Sequence, residues 1–315
     1  MVRFLVRRLA TFVVTLVVSS IVIFLMIRLT GGSVAATILG KNGTPAAIRE
    51  LQRSFGLDRP LVIQYFDWVR GMLSGDLGKS FRTNAPVGSL IYSSLPVSVP
   101  LACAGLVLAI AIAVPVGTYA ARNVGRPSGA IVALFSQVGI AVPVFWAGLL
   151  LSLLVGVKLG WLPTGGWTPW STSVSGAITS LILPSITLGL VMAASMSRYV
   201  RTMVLDVMNE DYVRTARATG MTRTGALLSV GLRNAALPLV TVLGLQIGEL
   251  VGGTVIVESV FSLPGLSRMI LSNVTARELT VVQSTVMLIV AFVMVVNLIV
   301  DVLYGLLDPR VGVAR

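Results

Sequence analysis

Six apolar segments, each long enough to cross a bilayer, constrain this chain more than any other feature. They run approximately over Leu9–Ile27, Leu101–Tyr119, Ile131–Val157, Ala177–Met196, Leu237–Val257 and Val282–Leu303. A transmembrane helix needs roughly 20 mainly apolar residues. Within hydrocarbon every backbone polar group must be satisfied internally, so continuous stretches of this length read as helices. Composition agrees: 55% of residues are hydrophobic and 11% charged, with a mean hydropathy of +0.92, whereas soluble domains carry about 25% charged residues. Gly and Pro inside the segments (Pro115, Pro143, Pro184, Gly244, Gly248, Gly252, Gly253) are ordinary for membrane helices. The expected fold is an all-α integral membrane protein with six transmembrane helices, one long cytoplasmic loop and an outer helical insertion.

Orientation follows from the short loops. With the N-terminus inside, the inner Lys/Arg are Arg3, Arg7, Arg8, Arg122, Arg126, Arg198, Arg201, Arg214, Arg217, Arg223, Arg233, Arg310 and Arg315. The short outer loops hold only Lys158, Arg268 and Arg277. Positive charge collects on the cytoplasmic side, so both termini and the 198–236 loop are placed there. The net charge of +12 is mostly this bias, and no nucleic-acid partner is called for. The first segment, which Arg3, Arg7 and Arg8 precede in the manner of a signal peptide, is expected to be an uncleaved span, because its apolar run, Leu9–Ile27, exceeds the 7–15 residues of a signal h-region. The expected layout is a cytoplasmic N-terminus and first span over 1–29 and an extracytoplasmic helical region over 30–94. A five-helix core over 95–308 and a cytoplasmic tail over 309–315 complete it.

Side-chain chemistry is sparse. There is no His, which removes the commonest general base and metal ligand. The single Cys103 lies inside the second span and has no intrachain partner. No G-x-x-x-x-G-K-[ST] loop is present. No catalytic residue, metal site or cofactor is expected in this chain.

Two polar regions break the apolar pattern. In 30–94, Thr44-Pro45 reads as a helix start with Ile48, Leu51 and Phe55 as an apolar stripe ending at Gly56. A second start at Asp58-Arg59-Pro60 leads to Tyr65, Trp68, Val69 and Met72 at helical spacing. Two amphipathic helices on the outer surface account for both, either packed on the spans or forming a platform for an external partner. Trp161, Trp167 and Trp170 follow the third span and read as headgroup-depth anchors.

The other interruption, from Asn209 to Leu237-Pro238, holds most of the dense charge of the second half. Asn209 can cap a helix whose first turn contains Glu210 and Asp211, favourable at the positive end of the helix dipole. Gly220 is a natural stop, and Thr222 restarts a second helix. Ala216 and Gly220, four apart, are expected to share a face that lets another surface approach closely.

Asp211-Tyr-Val-Arg-Thr-Ala-Arg-Ala-Thr-Gly-Met221, followed by Leu232-Arg-Asn-Ala-Ala-Leu-Pro238, resembles the cytoplasmic signature loop of ABC-importer permeases of the dipeptide/oligopeptide branch. Arg214-Thr215-Ala216 stands where the wider consensus has Glu-Ala-Ala, a departure similar to that branch. The resemblance extends to Phe55-Gly-Leu-Asp-Arg-Pro60, Gly75-Asp-Leu-Gly-Lys-Ser-Phe81, Pro143-Val-Phe-Trp146, Leu159-Gly-Trp-Leu-Pro163, Val257-Glu-Ser-Val-Phe261 with Pro264-Gly-Leu266, and Leu307-Asp-Pro-Arg310. It implies a coupling helix that docks on an ATPase subunit through Glu210, Asp211, Tyr212, Arg214, Ala216, Arg217, Gly220 and Met221. It also implies a multi-pass subunit of a bacterial inner membrane, partnered by a second homologous permease, two ATPase subunits and an extracytoplasmic peptide-binding protein. ATP and Mg would be bound by the ATPases and not by this chain. The implied cargo is di- or oligopeptides, with nickel or glutathione as alternatives in the same family.

Gln246, Glu249 and Gly253 fall on one face of the fifth span, and Glu258 and Asp301 are further acids in or at the spans. An intramembrane carboxylate costs on the order of 2.5–3.5 kcal/mol on insertion scales, so it normally faces a cavity or a partner. These five are the translocation-path candidates. A secondary transporter working through such acids is the competing class, although no internal repeat is visible.

Overall fold

The computed structural model describes residues 2–30, 44–54, 56–226, 229 and 232–307, with backbone alone at 2–3, 29–30, 51, 54, 223, 232–241, 243, 245, 304 and 306–307. The expected tail 309–315, Phe55, and Asp308, Pro309 and Arg310 lie outside the described residues. Among those described, every regular element is helical: α1 Val2–Thr30, α2 Pro45–Ser54, α3 Leu61–Ser74, α4 Val87–Arg122, α5 Pro127–Ala141, α6 Val144–Leu151 with a π-helical continuation Ser152–Lys158, α7 Val174–Asn209, α8 Asp211–Ala218, α9 Arg223–Ala226, α10 Leu232–Val260, α11 Leu266–Thr275 and α12 Leu279–Leu307.

Four helices contain described segments long and apolar enough to cross a membrane, Phe4–Arg28, Val87–Arg122, Val174–Asn209 and Leu279–Leu303. The third expected span is not continuous. Pro127–Ala141 and Val144–Lys158 meet at a bend of 101°. Its cause is local: Pro143 disfavours the helical region for the residue before it, and Val142 sits at φ −78°, ψ 118°. The fifth expected span lies within α10, a helix of 29 residues. The structure is therefore that of an all-α integral membrane protein.

The chain divides into two compact units. The first comprises Met1–Phe4, Val97–Pro264 and Val296–Arg315. Its centre is α7, and its core gathers Leu101, Leu183, Leu188, Met196, Val257, Phe261 and Leu263, all almost fully buried. Small residues let α4 come close to α7. A Cβ on Gly117 would lie 2.6 Å from the carbonyl oxygen of Ser197, and one on Gly105 2.7 Å from the Leu188 side chain. Without a hydrophobic drive between helices in lipid, such close backbone approach is what holds a membrane bundle together. The loop after the π-helical turn folds back on the same core: the Gly166 amide donates to the Phe261 carbonyl at 2.8 Å. Trp167 and Trp170 meet edge to face and pack on this cluster, leaving Trp161 exposed.

The second unit comprises Leu5–Pro96 and Gly265–Val295. Both short helices expected in the outer region are present. Thr44 Oγ1 accepts the Ala47 amide at 3.2 Å at the start of α2, and Gly56, at φ +65°, follows its end. α3 packs Tyr65 and Trp68 against Phe24 of α1. Glu278, just before α12, is 3% exposed and organises the 78–86 turn. Its carboxylate accepts the Phe81 amide at 2.9 Å, the Arg82 amide at 2.6 Å and the Ser80 hydroxyl at 3.2 Å.

Candidate functional site

α7 is 36 residues long, about 54 Å at 1.5 Å per residue, against a hydrocarbon core of about 30 Å. It thus continues as a stalk past the apolar segment and delivers the polar loop beyond its end. The helix stops at Asn209, and Glu210 occupies the N-cap of α8 with φ −70° and ψ 146°, one residue later than the expected Asn209 cap. Glu210 caps through its backbone, its carbonyl accepting the Val213 and Arg214 amides, both at 3.1 Å. Asp211 lies in the first turn and Arg217 in the last, each at the end of the helix dipole that favours its charge.

α8 ends in a six-residue capping motif. The Met221 amide donates to the Ala216 carbonyl at 3.2 Å and the Gly220 amide to that of Arg217 at 3.1 Å. This arrangement places the C′ residue in the left-handed region, and Gly220 has φ +98°. Thr222 then caps α9, its hydroxyl accepting the Gly225 amide at 3.1 Å. Arg122 donates to the Thr224 hydroxyl at 2.6 Å, tying the restart to the end of α4.

One side of this loop is anchored. Val213, 1% exposed, enters a cluster with Ala121, Val200, Val204, Val207 and Ala226, and Tyr212 and Ala216 pack at its edge. Burial, with the Glu210 carboxylate adding to it, pushes the Tyr212 phenol above its ordinary value of 10.0, so it stays neutral at physiological pH. Glu210, Asp211, Arg214, Thr215, Arg217, Ala218, Gly220 and Met221 remain exposed. The structure separates the two small residues expected to share a face: Ala216 turns toward the chain's own cluster, whereas Gly220 is solvent-side with open space where a Cβ would be. Helical spacing does not apply to the pair, because α8 ends at Ala218. The exposed Arg214–Asp211 pair, at 3.5 Å, contributes little stability. Sequence reasoning missed Val213, although an apolar Tyr212–Val213–Ala216 edge in a charged octapeptide was its signal. It also missed Glu278, for which no local pattern exists.

The intramembrane candidates fall into different surroundings. Gln246 is fully buried, and among the described residues neither its amide nitrogen nor its oxygen has a hydrogen-bond partner. Glu249 is exposed, with Gly248 and Gly252 beside it open to space. Gly253 leaves no room for the acid, because the Leu188 side chain lies 2.8 Å from where its Cβ would be. Glu258 is completely buried and accepts the Ser98 hydroxyl at 2.5 Å. Asp301 is half-buried in α12.

This combination of membrane helices, a stalk and an anchored charged loop coincides with two family matches. The family described as "Binding-protein-dependent transport system inner membrane component" matches residues 113–313. Its N-terminal companion, "Binding-prot-dependent transport system membrane comp, N-term", matches residues 1–102. The chain belongs to this family of ABC-importer permeases. The permease is 36% identical over 311 residues to the glutathione transport system permease protein GsiC of Escherichia coli (strain K12), covering 99% of both chains. The same identity and coverage relate it to GsiC of Salmonella typhimurium (strain LT2), and GsiC of Shigella flexneri serotype 5b is 35% identical. Family membership places the permease among binding-protein-dependent transport systems as an inner membrane component, and sets aside a secondary transporter.

Proposed function

We propose that this permease forms half of an ATP-driven import pathway for short peptides, glutathione-sized tripeptides among them. The supporting observation is its near-complete correspondence to permeases named for glutathione transport, together with a carboxylate exposed in mid-span at Glu249. A second permease would form the other half, an extracytoplasmic binding protein would deliver the cargo, and two ATPase subunits would bind ATP and Mg. Both termini and the 198–236 loop would be cytoplasmic, following the loop charges. The exposed side of α8 would dock on an ATPase, with Val213 holding the helix to the end of α7 so that ATPase movement is passed to the bundle. Of the five path candidates, Glu249 has the free face to meet a peptide ammonium group. Gln246, Gly253 and Glu258 would shape the wall behind it, and Asp301 would act from α12.

The test is uptake by the complete transporter in proteoliposomes, offered glutathione, di- to hexapeptides and nickel. Glutathione or other short peptides should stimulate ATP hydrolysis and accumulate. Stimulation by nickel alone would overturn the cargo assignment. In the same vesicles Glu249→Gln should lower peptide uptake by roughly tenfold or more, the effect of losing one hydrogen bond to a charged group worth about 1.5–3 kcal/mol. An unchanged rate and peptide preference would remove Glu249 from the path.

A further inference from the structure

The helix α3 carries three distinct sectors. Tyr65 and Trp68 point into the second unit: the Tyr65 hydroxyl and Ser20 Oγ share a hydrogen bond at 2.8 Å, and the Trp68 indole N–H donates to Ser284 Oγ at 3.4 Å. A second sector, Asp67, Arg70 and Ser74, is exposed and mainly polar, interrupted by the exposed Ile63 of the first turn, with Asp67 paired to Arg59 at 3.3 Å. The third sector is apolar and almost uncovered: Val62 is 66%, Phe66 63% and Leu73 85% exposed. At 100° per residue these three lie within about 40° of one another. An extracytoplasmic helix wholly in water has no use for such a stripe beside a separate polar one.

Depth decides between the possible occupants. Ser20, which Tyr65 reaches, lies within the Phe4–Arg28 apolar span and eight residues before its end, about 12 Å along the helix. Ser284 is likewise inside the Leu279–Leu303 span. α3 is thus fastened to the membrane-embedded parts of α1 and α12. The helix it packs on, α1, is itself apolar and exposed at Val18, Ile21, Val22 and Leu25. A helix with its polar side in water and its apolar side about 5–10 Å into the headgroup–acyl boundary has this arrangement.

We propose that α3 is an interfacial membrane helix, with Val62, Phe66 and Leu73 set among the lipid acyl chains of the leaflet around the C-terminal end of α1, rather than a docking platform for a soluble protein. This rests on the membrane-spanning fold and not on the cargo. It is tested with the complete transporter in phospholipid nanodiscs, using single spin-labelled cysteines in a Cys103→Ala background. Labels at Phe66→Cys and Leu73→Cys should be broadened by oxygen more than by a water-soluble nickel chelate, like a reference label at Val22→Cys. Arg70→Cys and Ser74→Cys should show the reverse, the oxygen-to-nickel ratio differing by roughly tenfold because strongly hydrated solutes are excluded from the acyl region. Leu73 is the safer site, since its side chain is the least covered. Nickel accessibility at 66 and 73 equal to that at 70 and 74 would place the stripe in water and overturn the proposal. Protection from both reagents, or protection appearing only when the binding protein is added, would overturn it in favour of a protein partner.

Discussion

Gly220→Val is expected to leave the permease inserted and folded in its membrane helices while cutting uptake by at least about tenfold. The residue stands at φ +98° with no atom of the described residues within 4 Å of a prospective Cβ, so the effect is conformational and not steric crowding. A β-branched residue held in a sparsely populated backbone region costs of order 1–3 kcal/mol. The chain can relieve that strain by abandoning the capping motif that closes α8. The Met221–Ala216 and Gly220–Arg217 bonds would be lost, and the exposed charges of α8 would no longer be held in one orientation above Val213. Gly220→Asn should recover most of the activity, because Asn visits positive φ more readily than other non-glycine residues. Arg217→Ala should be mild, as an exposed rim charge is worth about 0–1 kcal/mol. Uptake at the wild-type rate in Gly220→Val would mean that the turn does not set the position of α8.

The second large effect is expected at Glu278→Ala. Three donors converge on this carboxylate, two of them backbone amides, in a site 3% exposed. Each donor left unmet in a buried site costs about 1–3 kcal/mol, partly recovered where water enters. Glu278→Gln should also be harmful, since its Nε2 would turn a donor toward a backbone N–H. The turn that Glu278 holds overlaps the Gly75–Phe81 stretch at Ser80 and Phe81. Amide hydrogen exchange at Phe81 and Arg82 should accelerate by roughly tenfold to a thousandfold in Glu278→Ala, the range a local destabilisation of about 1.4–4 kcal/mol produces. Unchanged protection at both amides would show that the turn is held by its other bonds, such as the Ser80 amide to the Ala85 carbonyl at 2.9 Å.

The membrane class, the two short helices after the first span and the restart at Thr222 were legible because each depends on local chemistry: long apolar runs, a Thr-Pro start, a hydroxyl cap. What depends on distant residues was not. Proline illustrates the difference. Pro184 sits inside the unbroken α7, buried among packed neighbours, whereas Pro143 in an exposed position marks a bend of 101°. The two look alike in sequence, and packing decides which helix survives. Ala216 was misplaced for a related reason: the four-residue spacing to Gly220 assumes a helix that has already ended. Glu258 reads as a costly intramembrane charge until Ser98, 160 residues away, is seen beside it. Glu249 is exposed, while the space at Gly253, read as room beside it, is filled by Leu188.

On the proposed function, α8 is the part of this permease that touches the ATPase. A photo-crosslinking amino acid in place of Arg217, exposed at the end of α8, tests it in intact cells expressing the whole transporter, with a second probe in place of Ser74, the last residue of α3. Illumination should join the residue-217 probe to the ATPase subunit, identified by mass spectrometry, and should leave the residue-74 probe without that adduct. An assembled transporter in which residue 217 yields no ATPase adduct, or is joined instead to the extracytoplasmic binding protein, would contradict it.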